Sequence, residues 1–226
     1  MILKQIYLYP DLVEFNSRSK DVSVVRDQTR HICNYLERQL ASLKFDSGGF
    51  NKICIIGYDN PSSEMYVAST KALAVPVAID MDYCRSVSND VLVSYYIELL
   101  TFGLKKASLE FNIPLGHFLQ WLDDFKAVGY RNEWVFKDKK IRNLGIICRL
   151  NCVMTLEEFN LSLQVTNSSG VIYDRVILTT PPDEVAFHYR FKDVLVEGDN
   201  LVVVTKFDVG DDRILYMVSL SELLSS

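Results

Sequence analysis

Two carboxylates one residue apart, Asp80 and Asp82, close the apolar run Val75-Pro76-Val77-Ala78-Ile79 and are the residues of this sequence best placed to do chemistry. An apolar run that stops at paired acids reads as a buried strand, and ligands of parallel sheets collect beyond the carboxyl ends of strands. If the backbone stays extended, positions 80 and 82 share one face. Two carboxylates there would hold magnesium through oxygen ligands. No glycine-rich phosphate cradle accompanies them, so a solvated strand exit is the competing reading. No cofactor is expected.

The other chemistry-bearing residue types are dispersed. The three histidines are His31, His117 and His188, each on a different element. His31 and Cys33 sit about 200° apart around a helix and offer no common ligand face. Cys148 and Cys152 share a face of a strand, but their α-carbons would lie about 13 Å apart. The five cysteines follow no zinc or disulfide spacing, and reduced, partly buried thiols are expected. Ser47-Gly48-Gly49 and Ser168-Ser169-Gly170 lack the strand-to-helix setting of a nucleophile elbow and read as turns.

Recognition residues are the stronger candidates. Tyr7, Tyr9 and Asp11 surround Pro10 where the first strand ends, and exposed tyrosines rimmed by carboxylates suit a protein interface; aromatics that cover the sheet edge are the competing reading. Asp208, Asp211 and Asp212 form a second acidic group on an expected hairpin tip. A net charge of −5 with only short basic patches disfavours direct nucleic-acid binding. It suits a basic protein partner.

The elements that must position these residues divide by period. A strand is expected over 2–8. Val22, Val25, Thr29, Ile32, Leu36, Leu40 and Leu43 form the apolar stripe of a helix over 21–45. Arg26, Asp27, Arg30, Glu37 and Arg38 form its solvated side. Strands follow at 53–56 and 75–79, with a short helix between them in 62–73. A helix over 90–111 turns Val91, Tyr95, Leu99 and Phe102 inward. A third, opened by Pro114, buries Phe118, Trp121 and Phe125. From 133 the period becomes two. Strands are expected at 133–137 and 141–150 around a Lys-Asp-Lys turn, at 159–165 and 171–178, and near 185–191, 193–197, 201–207 and 213–219. The fold class is therefore α+β, with N-terminal helices around a small mixed sheet and a mainly antiparallel C-terminal sheet. One composite domain is expected, an α/β-like half over 1–130 and an antiparallel half over 131–226.

No run is long enough to span a bilayer, and the N-terminus lacks the pattern of a signal peptide. A cytoplasmic protein without membrane attachment is expected. The opening Ile-Tyr-Leu-Tyr-Pro-Asp-Leu strand, the mixed α+β order and the acidic balance resemble the bacterial immunity proteins of polymorphic toxin systems. The resemblance spans the chain and assigns no site residues. It implies a protein that binds a toxin or effector stoichiometrically and covers its functional surface. Binding rather than turnover is thus the expected activity. A metal-dependent enzyme built on Asp80 and Asp82, or a structural adaptor subunit, are the alternatives.

Overall fold

The computed structural model describes residues 1–62, 64–207 and 210–224, and it is an α+β protein. The chain separates into two compact units, Met1–Asn132 and Glu133–Ser226. No helix among the described residues is long and apolar enough to cross a membrane.

The first unit is built on a four-stranded sheet in the order β1-β2-β4-β3. Its strands are β1 (Gln5–Pro10), β2 (Lys52–Tyr58), β3 (Tyr66–Val67) and β4 (Ala72–Ala78). β1, β2 and β4 run parallel, and β3 is antiparallel to β4. Register pairs Leu8 with Ile55 and Ile55 with Val75, so one sheet face is a continuous apolar surface of fully buried side chains. Helix α1 (Ser19–Leu43) lies against β1, and α3 (Asn89–Ala107) lies against β2 and β4. Gly103 is what lets α3 come so close: a Cβ there would stand 2.8–2.9 Å from three atoms of the Ile55 side chain. Helices α2 (Met81–Ser86) and α4 (Leu115–Ala127) complete the unit, with Phe118 and Phe125 of α4 fully buried.

β1 is an edge strand, a position that ordinarily leaves backbone groups open to pairing. Here α1 occupies them. The Ile6 N–H donates to Glu37 Oε1 at 2.9 Å, Arg30 Nη1 donates to the Ile6 carbonyl at 3.0 Å, and Thr29 Oγ1 donates to the Leu8 carbonyl. Arg30 and Glu37 pair at 2.8 Å, and the Arg30 guanidinium sits 4.7 Å from the centre of the Tyr7 ring. The expected solvated face of α1 therefore needs correcting: Arg30 is buried and Glu37 half-buried, because a strand edge demands a donor and an acceptor there.

The second unit carries two antiparallel sheets. One has the order β5-β6-β7-β8, formed by β5 (Asn132–Ile141), β6 (Ile146–Met154), β7 (Phe159–Asn167) and β8 (Gly170–Thr180). The other comprises β9 (Asp193–Glu197), β10 (Asn200–Val204) and β11 (Ile214–Ser219), with β10 central. Short helices α5 (Glu184–Phe187) and α6 (Leu220–Leu224) flank the second sheet in sequence. Cys148, Leu150, Leu161, Leu163, Val194, Leu201 and Val203 meet in one core, where Phe159 stacks on Phe187 at 3.7 Å.

Several local expectations are overturned. Within the stretch expected as a helix over 62–73, the described residues 64–73 hold β3, a tight turn with Lys71 left-handed at φ 61° and the start of β4. The segment expected as a strand near 185–191 opens with α5, because the Asp183 side chain caps the Val185 N–H. The Lys-Asp-Lys stretch lies inside β5, where Asp138 pairs with Arg149 at 2.7 Å and both Lys137 and Lys139 reach Asp193. The chain reverses later, at Arg142–Leu144, where Gly145 takes φ 66°. In α3 the buried face is offset from the expected stripe: Leu92, Tyr96, Leu100 and Gly103 face inward, whereas Val91 and Phe102 are exposed. Trp121 is only half-buried, its ring against Phe118 and His117.

Candidate functional site

Asp80 and Asp82 do not share a strand face. The backbone turns helical at Met81, and Asp80 becomes the N-cap of α2, its Oδ1 accepting from the N–H groups of Asp82 (3.0 Å) and Tyr83 (2.8 Å). This is the ordinary work of an aspartate at that position. Asp82 instead reaches Arg18 Nη2 at 2.8 Å, and Arg18 also holds Asp21. Among the described residues no three His, Cys, Asp or Glu side chains are grouped to hold a metal ion.

All five cysteines are buried thiols outside any disulfide. Burial pushes the Cys84 and Cys148 thiols up to about 11 and raises Cys54 as well, so all three are protonated near neutrality. His31 is buried against the Phe125 ring, His117 lies beside Trp121, and His188 Nε2 is 2.9 Å from Lys206 Nζ.

Tyr7 and Tyr9 project from β1 on one sheet face, in register with Cys54 and Ile56. Burial raises the Tyr9 hydroxyl pKa, and the neighbouring Cys54 thiol, to which it is hydrogen-bonded, adds to the rise. Tyr58, at the end of β2, is pushed up to about 12 by burial and by its hydrogen bond to the Asp11 carboxylate. Tyr9, Asp11 and Tyr58 thus meet where the parallel strands end, as the spacing around Pro10 partly anticipates.

What that spacing does not reveal is the loop leaving β1. Asp11 Oδ1 accepts from the Val13 N–H at 2.9 Å and the Glu14 N–H at 2.8 Å. The Asp11 N–H donates to the Gly57 carbonyl, and Glu14 Oε1 accepts from the Asp59 N–H at 3.0 Å. Phe15 anchors the far end in the core. Between these ties Leu12 and Val13 stand 59% and 84% exposed. The result is a rigid apolar tip bordered by the carboxylates of Asp11, Glu14 and Asp59.

Of the second acidic group, Asp208 lies outside the described residues and only the backbone of Asp211 is described, in a short 3-10 turn. Asp212 is exposed, and its carbonyl accepts from Thr205 Oγ1 at 2.7 Å. The loop is therefore tied to the end of β10 through its backbone, which leaves the Asp212 carboxylate facing solvent.

A further concavity of about 430 Å³ opens beside Asp80, lined by Tyr83, Val91, Ser94, Tyr95 and Glu98. Fold and surface together define an α+β protein whose N-terminal unit gathers tyrosines, carboxylates and one apolar tip at the carboxyl end of a parallel sheet. Comparison with protein-family models, with curated proteins and with solved structures found no match to this chain.

Proposed function

We propose that this protein acts by binding, as an immunity-type partner that occupies a basic surface of a toxin or effector protein. The observation that carries the reading is the Leu12–Val13 tip. Large apolar side chains held this far into solvent by a hydrogen-bonded loop are pre-organised to enter a pocket, and a rigid anchor loses little entropy on docking. The carboxylates of Asp11, Glu14 and Asp59 around the tip select a pocket rimmed by lysine or arginine and speed encounter with it. Tyr7, Tyr9 and Tyr58 supply amphipathic contact area behind the tip. On this reading the exposed Asp212 supplies a further acidic contact that acts mainly on association rate.

The test is co-expression with a toxin domain encoded beside this protein's gene. Protection of the cells and a one-to-one complex on size exclusion are the expected results. Replacing Leu12 and Val13 together by Asp should abolish both while leaving the far-ultraviolet circular dichroism spectrum unchanged. If the double variant protects as well as the parent, the tip is not the anchor. If the purified protein turns over a substrate with no partner present, and Asp80→Asn removes that activity, the binding reading is wrong.

A further inference from the structure

The cleft beside Asp80 has a chemistry of its own. Tyr83 and Tyr95 form its corner, ring centroids 5.0 Å apart and planes inclined at 68°. The Tyr95 ring and the Tyr83 backbone are both tied to Asp80. The Tyr95 hydroxyl accepts from the Asp80 N–H at 2.8 Å, and the Asp80 carboxylate in turn accepts from the Tyr83 N–H. About two turns of α3 contribute Val91, Ser94, Tyr95 and Glu98 to the lining, at three- and four-residue spacing. Ser94 Oγ is bonded to the Tyr130 hydroxyl at 3.2 Å, and Glu98 is an exposed carboxylate. No cationic side chain lines the cleft among the described residues.

We infer that this cleft is a binding site for an organic cation, an alkylammonium or guanidinium group. The Tyr83 and Tyr95 rings in the lining offer a cation the negative side of an aromatic quadrupole. Glu98 and the Asp80 carboxylate supply net negative charge, and Val91 gives an apolar wall for the alkyl portion. A metal ion is a poor fit, because most of the lining is aromatic or apolar carbon. A phosphate is repelled by both carboxylates. The volume falls in the range of about 300–1,000 Å³ typical of small-molecule sites. The site also lies beyond the carboxyl end of β4, where parallel sheets place their ligands. This inference goes beyond the proposed binding role and does not depend on it, since it concerns the chain with no protein partner present.

The experiment is an NMR titration of the full chain with four probes. They are tetramethylammonium, Nα-acetyl-lysine methylamide, Nα-acetyl-arginine methylamide and the uncharged Nα-acetyl-norleucine methylamide. Saturable shifts of Tyr83, Tyr95 and Glu98 signals are expected with the cations at millimolar concentration and none with norleucine. Glu98→Gln and Tyr83→Leu should each weaken cation binding about fivefold or more. Glu98 is exposed, so its variant keeps the test open should Tyr83→Leu fail to fold. Tight binding by tetramethylammonium would identify a free small cation as the ligand. Binding by the blocked lysine or arginine alone would identify a side chain of a polypeptide. No saturation by any cation, equal binding of norleucine, or unchanged affinity in Glu98→Gln would overturn the inference.

Discussion

Replacing Gly103 by Ala should destabilise the N-terminal unit, although the same change in an unobstructed helix stabilises it. The added methyl would lie 2.8 Å from Ile55 Cδ1 and 2.9 Å from both Cγ1 and Cγ2, inside any normal contact distance. Overpacking of this kind costs about 1–3 kcal/mol. Helix propensity returns about 0.5–1 kcal/mol. The net loss should lie between about 0 and 2.5 kcal/mol, centred near about 1 kcal/mol. All three obstructing atoms belong to one side chain, which makes the prediction sharp. Ile55→Ala alone should cost about 2–5 kcal/mol, but in its presence Gly103→Ala loses its three closest clashes and should become less costly than in the parent. Urea midpoints at constant m-value would measure the four species. Trp121 fluorescence in a Trp134→Phe background would confine the signal to the first unit. Additive losses in the double variant would refute the packing of α3 against β2. They would also remove the basis for the cleft wall, since Val91, Ser94, Tyr95 and Glu98 ride on that helix.

Arg30→Ala should cost about 1.5–3 kcal/mol, because it removes a charge-assisted hydrogen bond to the half-buried Glu37 carboxylate and takes its donor from the Ile6 carbonyl; denaturant unfolding would show it, and a loss below about 0.5 kcal/mol would mean the pair is merely a surface one. Asp193 feels partial burial first, yet the Lys139 hydrogen bond, the Val194 N–H and both lysine charges outweigh it and hold its carboxyl below 3.8. Its stabilising contribution is therefore complete above that value and lost as the pH falls through the lower folded value. Unfolding midpoints across the acid range should drop less steeply in Asp193→Asn than in the parent, and equal slopes would contradict the assignment. Cys84 and Cys148, raised to about 11, should resist iodoacetamide at neutral pH in the folded protein and react fully in denaturant, as mass spectrometry would record.

The α+β class was legible because period and turn chemistry agree in the elements that define it. Phe159, Leu161, Leu163 and Val165 alternate with polar residues and do form a half-buried strand, β7. Other features depend on neighbours that a linear pattern does not contain. Arg30 and Glu37 look solvent-bound in α1 because charge type says nothing about a strand edge lying alongside. The inward face of α3 was obscured because that helix is apolar nearly all round. Gly103 was the available clue, since the smallest residue marks the closest approach. At the candidate surface, Tyr9 and Asp11 were recognisable from proline and residue type. Nothing in the pattern marks Leu12 and Val13 as exposed, and Tyr58 joins Tyr9 and Asp11 only through the β1–β2 register. The cleft was half visible: Asp80 stood out, but its role as the cap of α2, which sets Tyr83 against Tyr95, required the backbone to turn one residue earlier than an extended strand would.

The way α1 closes the edge of β1 bears on how the chain survives its own synthesis. Thr29, Arg30 and Glu37 lie 21, 24 and 31 residues downstream of the groups they occupy. By contrast, Ile6 meets its strand neighbour Ile53 only after a further stretch of chain has been made. Chains lengthen from the N-terminus, so the outer edge of β1 can be masked by local contacts while its inner edge still awaits β2. A nascent polypeptide arranged this way offers one pairing edge to its neighbours on a crowded polysome instead of two. Variants that lose the Arg30–Glu37 pair should then betray themselves first in the yield of soluble product.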